Sequence, residues 1–267
     1  MLDERIIQDI ANRLEESERN RKQIQQVSLQ YPAMTMDDAY AIQHAWVTRK
    51  ISDGRKVLGH KVGLTSRAMQ LASNISEPDF GVLLDDMHYA DGSHLPFERF
   101  IVPRVEVELA FVLGRDLQGP NVTLTDVLRA TEYVVPALEI IDARFHQIDP
   151  DTKKTRTVLD TISDNAANAA IVTGGRPVAA DEVDLRWVGA GLLRNGCIEE
   201  TGLAFGVLNH PGNGVAWLAN KLAQVDVHLQ AGQMILSGSF TRPVFAERGD
   251  VLCADYGILG TINCRFV

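Results

Sequence analysis

Acidic side chains interrupt two of the most apolar runs in the chain. The segment RVEVELAFVL, residues 104–113, carries Glu106 and Glu108, and side chains two apart on a strand share a face. Val105, Val107, Leu109, Phe111 and Leu113 make one face wholly apolar, while Arg104, Glu106, Glu108, Ala110 and Val112 make the other. Ala110 and Val112 continue that second face without a polar residue, so it too reads as becoming buried. Two carboxylates about 7 Å apart on a strand and partly desolvated repel each other, or one takes up a proton. A hard divalent cation, magnesium or manganese, removes the conflict through oxygen ligands. A solvated strand face that happens to carry two acids removes it as well, and the pair alone does not decide.

A third acid, Glu139, lies between Leu138 and Ile140 in VVPALEIID. A lone glutamate inside such a run needs a partner. That partner is either an Arg or Lys, or a metal for which Glu139 is a third ligand, with positions left open for water and substrate. Asp142, at the end of the run, reads as a turn or capping residue. HKVGLTS, residues 60–66, sets Lys61 among small and apolar neighbours, and SEPDFG presents Asp79 after a proline. Beside a metal these two are candidates for general acid and base. The loops SDNAAN (163–168) and SGSFTRP (237–243) suit either plain turns or the holding of a carboxylate. The seven histidines show no HxH or HExxH spacing, so histidine-bound zinc is not expected. No GxSxG, Walker loop or GxGxxG is present.

These side chains need elements to position them. Ile6, Ile7, Ile10, Ala11 and Leu14 recur at helical spacing. TMDDAYAIQHAWVTRKISDG predicts a second helix, with Thr35 as N-cap, Asp37 and Asp38 at the positive end of the dipole, and Gly54 at its end. From Val57 onward short apolar runs alternate with turn residues and predict strands: VLGHKVGL, RFIVPRVEVELAFVL, YVVPALEIID, NAAIVTG, LRWVGAGLLRNGCIEE, MILSGSF, DVLCADY and ILGTINCRFV. Asn195-Gly196 is a two-residue hairpin signal. Helices are expected near Thr125–Thr131 and across GVAWLANKL. Strands outnumber helices without alternating with them, which predicts an α+β fold rather than a doubly wound sheet. The expected organisation is a helical N-terminal region, residues 1–56, and a largely β catalytic domain, residues 57–267.

Hydrophobic residues make up 45% and charged residues 23% of 267, the balance of a globular chain. A net charge of −9 without a basic block argues against a nucleic-acid partner. It also requires that any anionic substrate be met by local cations or a metal. The three cysteines are scattered and read as buried free thiols. The N-terminus is charged from its third residue, and no apolar run is long enough to span a bilayer. The expectation is a cytoplasmic protein with no membrane partner.

Taken in order, GHKVGLTS, SEPDFGVLLDDM, PRVEVELAFVL, VVPALEIIDAR, ISDNAAN, NHPGNGVAWLANKL and LSGSFTRP resemble the hydratase/decarboxylase branch of the fumarylacetoacetate hydrolase superfamily, over nearly the whole chain. The resemblance implies a mixed, mainly β-roll core of the fumarylacetoacetase C-terminal type with outer helices. It also implies a Mg2+ ion, with Mn2+ as the alternative, and a ring-shaped homo-oligomer, a pentamer or decamer. The family's E-x-E falls on Glu106 and Glu108 and its third metal ligand on Glu139. Its active-site lysine and aspartate fall on Lys61 and Asp79. His60, Ser163, Asp164, Ser239 and Thr241 match the region lying against the substrate. HQIDPDTKKTRTVLDTISDN and the ending TINCRFV tilt the resemblance toward a member that adds water to a seven-carbon 2-hydroxydienoic dicarboxylate in homoprotocatechuate meta-cleavage. Siblings that hydrate five-carbon dienols or decarboxylate 4-oxalocrotonate share the motif. Acylpyruvate hydrolysis, or a metal-stabilised binding protein without turnover, are further alternatives. Lys153, Lys154, Arg156, Arg242 and His60 are candidate cations for the second carboxylate, with the KKTR stretch itself expected to be a solvated loop.

Overall fold

The helical repeat at the N-terminus forms α1 (Glu4–Asn20), followed by a single turn, α2 (Val27–Gln30), and by α3 (Met36–Ser52). In this computed structural model, which describes residues Met1–Val267, α1 and α3 bury Ile7, Ile10, Leu14, Ala39, Ile42 and Trp46 in a core of their own. Only Phe145 and Ile162 join that core fully buried from beyond residue 56. Thr35 caps α3: its hydroxyl accepts from the Asp38 amide at 3.3 Å, and the Asp38 carboxylate accepts from the Thr35 amide at 2.8 Å. The same carboxylate accepts from the Leu2 amide at 2.6 Å, tying the N-terminus to α3. Gly54 follows the helix with φ +98°, a conformation that side chains rarely adopt.

The rest of the chain is strand-rich. In order come β1 (Val57–Gly63), β2 (Asp79–Leu84), β3 (His88–Ala90), β4 (His94–Leu95), β5 (Arg104–Leu113), β6 (Thr131–Ile141) and β7 (Asn168–Thr173). Then follow β8 (Gly189–Arg194), β9 (Cys197–Leu203), β10 (Met234–Leu236), β11 (Val244–Phe245), β12 (Val251–Asp255) and β13 (Thr261–Phe266). Four helices pack among them: α4 (Arg67–Ala72), α5 (Leu124–Ala130), α6 (Val158–Ser163) and α7 (Gly212–Leu222). One mixed sheet has the order β2-β1-β10-β5-β6-β7-β3, with β11 added to β5. The second has the order β4-β13-β12-β8-β9, and Asn195-Gly196 makes the β8–β9 hairpin with both residues at positive φ.

The alternation in β5 divides its surroundings. Val105, Val107, Leu109, Phe111 and Leu113 enter the main core, shared with the second sheet and with α5 and α7. The opposite face carries Ala110 and Val112 into a smaller apolar cluster with Leu83, Val135, Ala137, Ile171, Met234 and Leu236. Glu106 and Glu108 continue that second face.

Two expectations change, and one strand is added. SEPDFG leads into β2, which is not among the runs expected as strands: DFGVLL pairs antiparallel along β1 at a sheet edge, where Asp and Gly are tolerated. KKTR is not uniformly solvated: Lys153 and Lys154 are exposed, but Arg156 turns inward where α6 begins. Of the three thiols only Cys264 is buried, whereas Cys197 is exposed beside the hairpin turn and Cys253 is intermediate. No helix is long and apolar enough to cross a membrane.

Burial raises the Asp38 carboxyl, but the hydrogen bonds from Leu2 and Thr35 outweigh it and hold the group below its ordinary value. A carboxyl depressed on folding stabilises the protein above its unfolded value of about 4. Asp38→Asn is therefore expected to cost about 1 kcal/mol in urea unfolding at pH 7. The gap to the unsubstituted chain should hold down to about pH 4 and close below it.

Candidate metal centre

The pairing of β5 with β6 decides where the acids meet. Glu106 lies directly opposite Glu139, and Glu108 opposite Ala137. One carboxylate oxygen from each of Glu106, Glu108 and Glu139 lies within 4.8 Å of the others. Glu108 is 1% and Glu139 0% exposed. Glu108 Oε2 accepts from the Gly238 amide at 2.8 Å, whereas neither oxygen of Glu139 accepts a hydrogen bond. The Lys61 ammonium lies 3.3 Å from Glu139 Oε1. Glu139 thus has the basic partner that its apolar run called for, and a place in the acid cluster as well.

Burial dominates the charge state. It pushes Glu106 up to about 7, with the charge of Glu139 adding to the shift and Lys61 opposing it. Burial likewise raises Glu108, with help from Glu139. Glu139 is raised too, despite its ion pair, because desolvation exceeds the pull of Lys61. Burial also works against the Lys61 ammonium, but Glu139, Asp79, Glu106 and Glu108 together hold it charged. One ammonium therefore faces four carboxylates in a dry setting, and apart from its ion pair with Lys61 Glu139 has no donor. Three converging oxygen ligands with uncompensated charge fit a hard divalent cation.

Asp79 reaches the same face from β2. It pairs with Gly63 on β1, one step from the pairing of Lys61 with Gly81. A Cβ on Gly63 would lie 2.2 Å from Asp79 Oδ1 and 3.2 Å from Lys61 Nζ, so only glycine leaves room for the two side chains. Asp79 Oδ1 is buried without a hydrogen-bond partner. Burial raises the Asp79 carboxyl, and Lys61 pulls it back only in part.

The other expected site residues separate into groups. Ser239 and Thr241 sit against β5 between the two glutamates: Thr241 Oγ1 accepts from the Val107 amide at 3.2 Å, and the Ser239 hydroxyl donates to Thr241 O at 2.9 Å. His60 alternates to the face opposite Lys61, where burial lowers it to about 4 and Nδ1 has no partner. Ser163 donates to Leu159 O inside α6. Asp164 is taken by Arg144, whose amide lies 2.8 Å from Oδ2 and whose Nε lies 2.5 Å from Oδ1. Beyond it Asn165, Ala166 and Ala167 all have positive φ, and the Asn165 side chain pins this turn to both the amide and the carbonyl of Val82. Asp142 caps the Ile101 and Val102 amides, each at 2.7 Å.

Two residues at the site went unread. The Tyr256 hydroxyl lies 2.6 Å from Ala137 O and 3.0 Å from Glu108 O, clasping β5 to β6 at the acid pair. A tyrosine ending an apolar run carries no sign of this. Arg144 had a faint signal, a basic residue immediately after VVPALEIIDA. A cleft of about 470 Å³ lies elsewhere, lined by residues including Leu124, Asp184, Arg186 and His210, and holds none of Asp79, Glu106, Glu108 and Glu139. Buried charge marks the site better than the size of an opening.

Residues 49–267 match the family model described as fumarylacetoacetate (FAA) hydrolase C-terminal. The chain is 64% identical over 258 residues to 2-oxo-hept-4-ene-1,7-dioate hydratase of Escherichia coli, covering 97% of each. It is 41% identical over 236 residues to 2-keto-4-pentenoate hydratase of Paraburkholderia xenovorans, covering 88% of this chain and 86% of that one. The solved structure of 4-oxalocrotonate decarboxylase from Pseudomonas putida G7, complexed with magnesium and adipate, superposes with a TM-score of 0.94 at 35% identity, over 100% of this chain and 99% of that one. A second structure of that enzyme holds calcium and acetate. A divalent metal is thus a feature of structures closely similar to this one.

The space at Gly63 makes a direct test of the geometry. Gly63→Ala is expected to lower stability by about 1–3 kcal/mol, the cost of overpacking, whereas Gly191→Ala, with nothing within 4 Å of the added methyl, should leave it unchanged. Guanidinium unfolding of the two variants measures the difference.

Proposed function

The chain belongs to the fumarylacetoacetate hydrolase family, and we propose that within it the protein is a divalent-metal-dependent hydratase. Its substrate is 2-oxohept-4-ene-1,7-dioate, in the dienol form 2-hydroxyhepta-2,4-dienedioate, and its product is 4-hydroxy-2-oxoheptane-1,7-dioate. The 64% identity to a hydratase of that name supports hydration over the decarboxylation carried out by a relative at 35%. The observation that carries the site is the meeting of Glu106, Glu108 and Glu139 beside Lys61 and Asp79, with Glu139 buried and met by no group but Lys61. The proposed ion is Mg2+. The proposed setting is homoprotocatechuate degradation in the cytoplasm, by a homo-oligomer.

Glu106, Glu108 and Glu139 would hold the ion, which supplies Lewis acidity to the carboxylate and C2 oxygen of the 2-oxo-acid end. In the reaction the 2-hydroxyl proton leaves and a proton arrives at C5, giving a 2-oxo-3-ene. Water then adds its hydroxyl at C4 and a proton at C3. Lys61, held charged by the surrounding acids, places a fixed positive charge beside the oxygens where negative charge gathers. Asp79, whose carboxyl is raised by burial and whose Oδ1 has no partner, is the group suited to hold and return the proton. Ser239 and Thr241 line the β5 side of the substrate. Ser163 and Asp164 act on it through the backbone segments they secure rather than by their own polar atoms, and His60 faces away from the acids.

The test is turnover of the enzymatically generated dienol. Loss of its absorbance with Mg2+, reversal by EDTA, a 4-hydroxy product and no carbon dioxide are expected. Glu139→Gln should lower activity more than about 100-fold, beyond the 10- to 100-fold typical of outer-shell changes, and should abolish the rise in melting temperature that Mg2+ gives the unsubstituted protein. No consumption of five-, six- or seven-carbon dienols would overturn the assignment, and carbon dioxide release would move it to a decarboxylase.

A further inference from the structure

We propose that Arg104 and Arg156 together form the subsite for the distal carboxylate of the substrate, and so set the preference of this chain for a diacid. The inference rests on the reading above, in which the 2-oxo-acid end lies at Glu106, Glu108 and Glu139.

Among the basic side chains near the acids, these two have no ion-pair partner, whereas Arg144 is paired with Asp164 and Lys61 with Glu139. Neither Arg104 nor Arg156 makes an ion pair or a side-chain hydrogen bond, and Arg156 Nη1 is buried with no partner at all. The acids around Arg156 are already spent. Asp164 serves Arg144, and Asp160 accepts from Ser28 and Thr157 in capping α6.

The remaining candidate cations fall away on position. Lys153 and Lys154 are exposed. Arg242 is 83% exposed and pairs with Glu200. His60 faces away from the acids and is neutral. Arg156 turns inward because the 147–156 hairpin closes through its amide on Gln147 O at 2.9 Å, just before α6 begins.

Arg104 shares the face of Glu106, about 7 Å along β5, on the side away from Glu108. Its guanidinium stacks 4.9 Å from the Phe245 ring, a contact that leaves the in-plane N–H donors free. A seven-carbon chain has six C–C bonds of about 1.5 Å, enough to run from the acid cluster to that guanidinium. The charges are mutually felt. Burial depresses the Arg156 guanidinium, with Asp164 opposing and the charge of Arg104 adding to the shift. Two like charges near one another, one of them desolvated, are costly until an anion arrives. A carboxylate accepting from planar guanidinium forks relieves that cost. In a protein of net charge −9 such a local site is what an outlying carboxylate requires.

The test is calorimetric titration of the Mg2+-loaded protein with 2-oxoheptanedioate and 2-oxoheptanoate, which differ only in the distal carboxylate. The unsubstituted protein is expected to prefer the diacid by about 10- to 100-fold, the worth of one or two charge-assisted hydrogen bonds. Arg156→Gln and Arg104→Gln, made separately, should each cut that preference at least about threefold while leaving 2-oxoheptanoate binding unchanged. Arg156→Lys, which keeps the charge but not the fork, should retain part of it. An unsubstituted protein that binds both acids equally overturns the proposal, as do variants that weaken both acids alike. Because binding is read without turnover, a diacid preference lost in the variants supports the subsite even where no dienol is hydrated, an outcome that would count only against the reaction assigned above.

Discussion

Like charge held out of water is the constraint around which this molecule is arranged. Glu106 and Glu139 face each other across β5 and β6, where like charges directly opposite are destabilising, and Glu108 adds a third. An ordinary ion pair would lower its acid. Here Lys61 approaches Glu139 closely, yet the acid is raised, because burial outweighs the pull of a single ammonium. The backbone is cut to fit that arrangement. β10 stops at Leu236, and the Gly238 amide just beyond it donates to Glu108. Gly63 leaves out the methyl that would strike Asp79. The Tyr256 hydroxyl holds the two acid-bearing strands together from their own carbonyls. Such a cluster is poorly satisfied alone and well suited to a divalent ion, so strain in the ligand set and affinity for the metal have one origin.

The helical layer reaches the site through a buried arginine and through Gln43 and Tyr40 of α3, which contact Phe80 beside Asp79. The Arg144 guanidinium lies 5.0 Å from the Trp46 ring of α3, and its donors go to Asp164 and to the Asn168 carbonyl. From there the left-handed turn Asn165–Ala167 is clamped to Val82 of β2, the strand that begins at Asp79. Left-handed backbone at alanine is unfavourable and persists only where neighbours fix it. The neighbours here are a buried ion pair and an asparagine that satisfies both backbone groups of Val82. Ser163 and Asp164 thereby contribute by fixing the wall beside Asp79, with their own polar atoms turned to the fold.

Much of this was legible from local pattern, and what was not is long-range. Alternation placed Glu106 and Glu108 on one face of β5, and the isolation of Glu139 in an apolar run announced a partner. Which residue stood opposite which depended on register between strands, and no local pattern specifies that. DFGVLL does not stand out as a strand because Pro78, Asp79 and Gly81 are turn residues, yet a sheet edge accepts them. The hydroxyl and carboxylate of Ser163 and Asp164 look free along the chain, and Arg144 lies 20 residues before the acid it claims. KKTR looks uniformly solvated, but the turn into α6 sends Lys153 and Lys154 outward and Arg156 inward.

Charge alternation along β5 then accounts for how a strongly anionic protein can take a dianion. Arg104, Glu106 and Glu108 succeed one another on one face, basic then acidic. A divalent ion together with Lys61 would offset the charge of the three glutamates, and on the proposed reading Arg104 with Arg156 would make the other end positive. The overall field opposes approach of the substrate, but within a buried site nearby charges outweigh distant ones, because screening by water is lost at short range. On the proposed reading, one end where acid charge is offset and another where basic charge is left over would distinguish a molecule charged at both ends from one charged at a single end. The strand that creates the like-charge conflict also sets the distance over which it is resolved.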